Sequence, residues 1–185
     1  MVRVPICYAN RIACLDVAYD SMAAAVAGAL IGSWDAQGAS QMRVRRCDGP
    51  PASYESGAFY KRELPLLLAV IADFDEPIEV IVIDGYVWLD DHDLPGLGGH
   101  LFSTLGRCIP VIGIAKTRYR NDTWSIPVLR GESRRPLFVT SAGIQARKAA
   151  QCVCRMHGDH RIPTILNLVD RAAREGLATL FEKSG

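Results

Sequence analysis

The run Ile78-Glu79-Val80-Ile81-Val82-Ile83-Asp84-Gly85 constrains this chain more than any other segment. Its β-branched residues predict a buried strand over 78–84, and the strand ends on a carboxylate. A second apolar run, residues 11–19, also carries an acid near its end, Asp16. Burying an unpaired carboxylate costs several kcal/mol or forces its protonation, so two such acids imply a compensating positive group. Strands delivering Asp16 and Asp84 to one point would suit a hard divalent cation. The chemistry expected of that arrangement is metal-assisted work on phosphates.

Around these strands the pattern resolves into a series of elements. Residues 11–19 and 22–32 read as a hairpin turning at Asp20-Ser21, with the Ala-rich second segment taken as strand, not helix. A third strand is expected over 40–47, its arginines on the wet face. Apolar spacing from Gly57 to about Asp73 is helical, and Pro65 places the helix start near itself, in the first turn. After strand 78–84 come a helix of roughly 99–107 and a buried strand over 109–115. Short strands near 125–129 and 136–140 then precede helices of about 144–156 and 164–182. Three antiparallel strands followed by helix–strand–helix–strand make a mixed α/β sheet with helices on both faces. This is the element order of the ribonuclease H-like fold, and one domain is expected over 1–185.

The composition excludes some classes. The 185 residues are 49% hydrophobic and 22% charged, as for a globular protein. A net charge of +1 argues for no particular partner. Four basic clusters are more suggestive of a phosphate-tracking surface: Arg43, Arg45 and Arg46; Lys61 and Arg62; Arg118 and Arg120; and Arg130, Arg134 and Arg135. No apolar run nears the roughly 20 residues of a membrane helix, so no membrane association is expected and a cytoplasmic location is. Cys152, Cys154, His157 and His160 are close in sequence, but helical i, i+2 spacing turns the two thiols apart, which argues against zinc.

Four segments carry the chemistry: Leu15-Asp16-Val17-Ala18-Tyr19, the stretch from Tyr54-Glu55-Ser56-Gly57 to Arg62-Glu63-Leu64-Pro65, Ile83-Asp84-Gly85, and Gly113-Ile114-Ala115-Lys116-Thr117. In this order they resemble the endonuclease V family, which has Asp-Val-Xaa-Tyr, Tyr-Xaa-Xaa-Gly…Arg-Glu-Xaa-Pro, Val-Asp-Gly and Gly-Val-Ala-Lys-Ser at the corresponding places. Arg161-Ile162-Pro163…Asp170-Arg171 resembles the family's C-terminal Arg-Xaa-Pro…Ala-Asp pattern. The resemblance runs from about residue 12 to 175.

The resemblance implies a monomeric endonuclease of nucleic-acid repair. It would use Mg²⁺ or Mn²⁺ to cut 3′ to a deaminated purine, chiefly inosine, in DNA or RNA. Asp16, Glu63 and Asp84 would be the catalytic metal ligands, and Lys116 would steady the phosphate's developing charge. Tyr54 and Gly57 correspond to the wedge that fills the place of a displaced base. Gly57, Gly85, Gly96, Leu97 and His100 match positions lining the base pocket. There are departures. Glu55-Ser56 replaces the wedge proline, Ile144 stands where the family has a metal-site histidine, and the loop 86–93 is rewritten, with His92 its one imidazole. A non-cleaving binder of modified nucleic acid, or a phosphoesterase of altered specificity, are the alternative readings.

Overall fold

A computed structural model describes residues 6–49, 60–120 and 122–178. After a short 3-10 turn, Ile6–Tyr8, the chain forms strands β1 (Ile12–Tyr19), β2 (Ala23–Ile31) and β3 (Gln41–Asp48). Helix α1 (Tyr60–Ile71), β4 (Val80–Asp84), α2 (Leu97–Thr104) and β5 (Val111–Ala115) follow. The chain continues through β6 (Ile126–Val128), β7 (Leu137–Ala142), α3 (Ala146–Arg155) and α4 (Thr164–Ala178). One sheet runs β3-β2-β1-β4-β5-β7-β6. The first three strands are antiparallel, β1, β4 and β5 are parallel, and β7 returns antiparallel to β5. The ribonuclease H-like order expected from sequence is therefore present.

Alternation along the strands builds two cores, one on each face of the sheet. Ile12, Cys14, Val80, Val82, Ile112 and Ile114 face α3 and α4. Ala13, Leu15, Ile81, Ile83 and Val111 face α1 and α2. All nine residues of β2 are buried, which explains why its alanine-rich run is a strand despite good helix propensity. Its small side chains sit between helices on both faces. At the β1–β2 turn the Asp20 carboxylate accepts the Met22 and Ala23 N–H groups at 2.7 Å each, closing the hairpin.

Three helix starts differ from the sequence expectation, that of α3 only in beginning at Ala146 and not near 144. Helix α1 begins at Tyr60, and Pro65 lies inside it, not in its first turn. Packing of Glu63, Leu66, Leu67 and Val70 into the structure outweighs the hydrogen bond that Pro65 cannot donate. Helix α2 begins at Leu97, two residues early, despite its glycines. A Cβ on Gly98 would stand 2.7 Å from the Val87 side chain, and one on Gly99 2.7 Å from the Val87 carbonyl oxygen. The Gly96 and Gly99 N–H groups donate to that same carbonyl, so the glycines let the helix sit directly on the 86–88 segment.

Gly113, in the middle of β5, is as constrained. A Cβ there would lie 2.5 Å from the Gly85 carbonyl oxygen and 2.9 Å from the Val87 nitrogen. Both obstacles are backbone, so the segment following Asp84 would have to move. Gly113→Ala is expected to cost about 3 kcal/mol, read as a lower urea midpoint with an unchanged m-value.

Candidate functional site

Strand register builds the site. In the parallel β1–β4 pair, Leu15 stands opposite Ile83. Asp16 and Asp84 are the next residue of each strand, so they occupy neighbouring positions about 5 Å apart along the sheet and point to the same face. Asp84 in turn stands opposite Ile114 of β5, and Lys116 lies two residues on, again on that face. Lys116 Nζ donates to Asp84 Oδ2 at 2.6 Å. Gly85 turns the chain away immediately, with φ at +120°.

The helices contribute one acid from each layer. Glu63, in the first turn of α1, is 7% exposed and approaches over the strand ends from the opposite face of the sheet. Asp170 projects from the middle of α4, and with Asp16, Asp84 and Lys116 it lines a pocket floored by Leu15, Ile114, Leu137 and Val169. Asn167 lies one turn before it on the same wall. Arg174 pairs with Asp170 at 3.1 Å.

The electrostatics record this crowding. Burial raises the Asp16 pKa to about 7, with the charges of Asp84 and, more weakly, Asp170 adding to it against the Val17 N–H and Lys116. Burial likewise lifts Glu63 to about 8, helped by Asp16 and Asp84 and opposed by Tyr19 and Arg62. Lys116 is partly desolvated, which works against its charge, but Asp84, Asp16 and Asp170 outweigh this and raise its pKa. Arg62 lies over the Tyr19 ring, 4.7 Å from its centroid, and the Tyr19 hydroxyl is buried beside Glu63. Asp16, Asp84 and Asp170 around the pocket, with Glu63 reaching in over the strand ends, are hard oxygen donors, a set suited to a divalent ion. Among the described residues, no three carboxylate, imidazole or thiol groups stand close enough together as they are to enclose one.

The other expected residues fall in varied places. Tyr54 and Gly57 lie outside the described residues. Gly96 and Leu97 form the buried start of α2, with Leu97 in the core. His100 stacks on Tyr60, ring centroids 3.4 Å apart, and burial lowers its pKa. His92 is exposed, and among the described residues its side chain pairs only with its neighbour Asp91, at 3.5 Å. The rewritten loop is clamped to the sheet instead: Val87 N–H donates to Thr140 Oγ1 and Trp88 Nε1 to the Ser141 carbonyl. Ile144 is packed against the core, and its carbonyl accepts the Ser141 hydroxyl. Cys152 is buried and Cys154 exposed, the divergence that helical spacing implied. Asp170 and Asn167 were not among the expected site residues, although the Arg161…Asp170 segment had been singled out.

Solved structures with the same fold include endonuclease V from Bacillus subtilis (20% identity, TM-score 0.79, covering 95% of this chain and 84% of that one). Human ENDOV is 22% identical with a TM-score of 0.74, over 92% and 85% of the two chains. Ciona intestinalis endonuclease V, solved with a 24mer DNA containing an inosine followed by a ribo-adenosine, is 17% identical with a TM-score of 0.75, over 91% and 86%. No curated protein matches the sequence at a significant level. The family model for endonuclease V matches residues 4–171, and the chain belongs to that family.

Proposed function

We propose that this chain is a divalent-metal-dependent endonuclease that hydrolyses a phosphodiester bond 3′ to inosine or another deaminated purine. The observation that carries this is the β1–β4 register, which sets Asp16 beside Asp84 with Glu63 and Asp170 arriving from opposite helical layers. Asp16, Asp84, Glu63 and Asp170 would hold Mg²⁺ or Mn²⁺. When bound, the ion would polarise a phosphoryl oxygen and lower the pKa of the attacking water. Lys116 neutralises Asp84 as the structure stands and lies where it can stabilise charge on a scissile phosphate. The pocket floor is apolar, while Asp84 and Lys116 at its mouth are open to solvent and to an incoming phosphate.

The inosine preference is supported by family membership and by the inosine-containing DNA bound to the Ciona relative. A second reading, a binder that does not cut, is favoured by the apolar packing of Ile144. The deciding assay incubates the protein with Mn²⁺ and an end-labelled inosine-containing strand. A nick on the 3′ side of inosine, lost in chelator, is expected. Affinity for inosine strands without any nick above an Asp84→Ala control would favour the non-cleaving reading instead.

A further inference from the structure

The arginine clusters of this chain are not equivalent once folded. On β3, Arg43 pairs with Asp75 at 2.6 Å, Arg45 with Asp73, and Arg46 with Asp48 at 2.7 Å and with the Leu177 carbonyl. That edge of the sheet neutralises itself. Arg130 is buried and spends its guanidinium on the carbonyls of Met156, Gly158 and His160, clasping the end of α3. The β3 arginines are neutralised by acids, and Arg130 is too buried to meet a ligand.

Arg118, Arg120, Arg134 and Arg135 differ. All four are exposed, and among the described residues their side chains take part in no ion pair or hydrogen bond. Two are held in place without being neutralised. Arg118 lies over the Phe138 ring, 5.2 Å from its centroid, and Arg120 over Tyr119 at 5.1 Å. Such contacts fix a guanidinium while leaving its N–H edge to solvent.

The two segments form one surface. The Arg161 guanidinium donates to the carbonyls of both Lys116 and Pro136, tying the loop after β5 to the loop before β7. Lys116, at the inner end of this surface, reaches Asp84. The nearest acid on the outer loop, Asp122, is buried and turned inward onto Ser125, Trp124 and Tyr86. Glu132 is the exposed acid of the neighbouring hairpin.

We infer that Arg118, Arg120, Arg134 and Arg135 bind the sugar–phosphate backbone of the strand that enters the acidic site, and that the β3 arginines take no part. This rests on the nuclease reading above. Lys116 and Arg174 are already paired with Asp84 and Asp170, so they leave a phosphodiester little free positive charge inside the site, and a net charge of +1 supplies little attraction at long range. Compensation must be local, and this surface is where unneutralised cations adjoin the site.

The test is fluorescence anisotropy with a labelled single-stranded 20mer, with and without one inosine, in chelator and over a series of KCl concentrations. Each phosphate contact contributes about 0.7 to the slope of log K against log salt. Replacing all four arginines by Gln is expected to reduce that slope by about 2–3 and to weaken low-salt binding about 30-fold. Arg43→Gln with Arg45→Gln should stay within about twofold of the parent. A single Arg135→Glu, with far-UV circular dichroism as a folding control, should weaken binding in the same direction.

An unchanged slope in the fourfold variant overturns the inference, as does an equal loss in the β3 pair. A chain that cuts inosine strands while the fourfold variant binds like the parent would remove this surface and keep the nuclease. One that binds through these arginines but never cuts would do the reverse.

Discussion

Asp84→Asn is expected to lower cleavage of an inosine-containing strand by about 10³-fold with Mn²⁺ saturating, while leaving the fold intact. The substitution keeps the shape of the side chain and removes one negative charge from the centre of the site. Asp84 stands beside Asp16 in strand register, accepts Lys116 at 2.6 Å and raises the pKa of both Asp16 and Glu63. A ligand in that position serves the cation and orients the lysine together, and several kcal/mol of transition-state stabilisation depends on such placement. At about 1.4 kcal/mol per decade, a loss of about 4 kcal/mol corresponds to the stated factor. Asp16→Asn should match it. Single-turnover rates at several Mn²⁺ concentrations, with Mn²⁺ binding measured separately by electron paramagnetic resonance, distinguish a lost ligand from a lost fold. A variant retaining more than a tenth of the parent rate would exclude Asp84 from the chemistry.

The strand-borne half of this site is legible in the sequence because a β-strand carries its own ruler. The β-branched run that ends on Asp84 declares both a strand and the direction of its acid, and the apolar run carrying Asp16 need only pair with it in parallel for the two acids to meet. The helix-borne half is harder. Helical periodicity shows that α4 has an apolar face carrying Ile165, Val169 and Ala173, but Asp170 reaches the strand ends only through the way that helix lies across the sheet. The start of α2 was misplaced because glycine is a poor helix former, and only the close contact with Val87 reveals why glycines are needed there. Pro65 illustrates the same override on α1. The fate of the arginines was invisible for another reason. Arg45 meets Asp73 and Arg161 meets Pro136 across long stretches of chain, so counting charges along the sequence cannot separate a neutralised cluster from a free one.

Without divalent metal, the protein should be most stable at mildly acid pH and should lose stability on going to pH 8.5. The cause is the pair Asp16 and Glu63, raised to about 7 and about 8 by burial and by the neighbouring carboxylates. In the unfolded chain the same groups titrate near 4. Between about pH 4 and pH 8 the folded state therefore binds more protons than the unfolded one, so the free energy of unfolding falls as pH rises through that window. The loss is complete above the higher of the two folded values. From pH 6 to pH 8.5 the two groups together amount to on the order of 2–4 kcal/mol. In a chain of this size that is about 5–10 °C in Tm. Chelator-treated protein should melt lower at pH 8.5 than at pH 6, and Glu63→Gln should flatten much of the difference by removing the charge that burial opposes. Added Mn²⁺ should restore the pH 8.5 value, because a cation stabilises the ionised carboxylates that protons otherwise neutralise. A melting temperature that is flat or rising across this range in chelator would show that the two acids are not crowded together, and the metal-binding reading would fall with them.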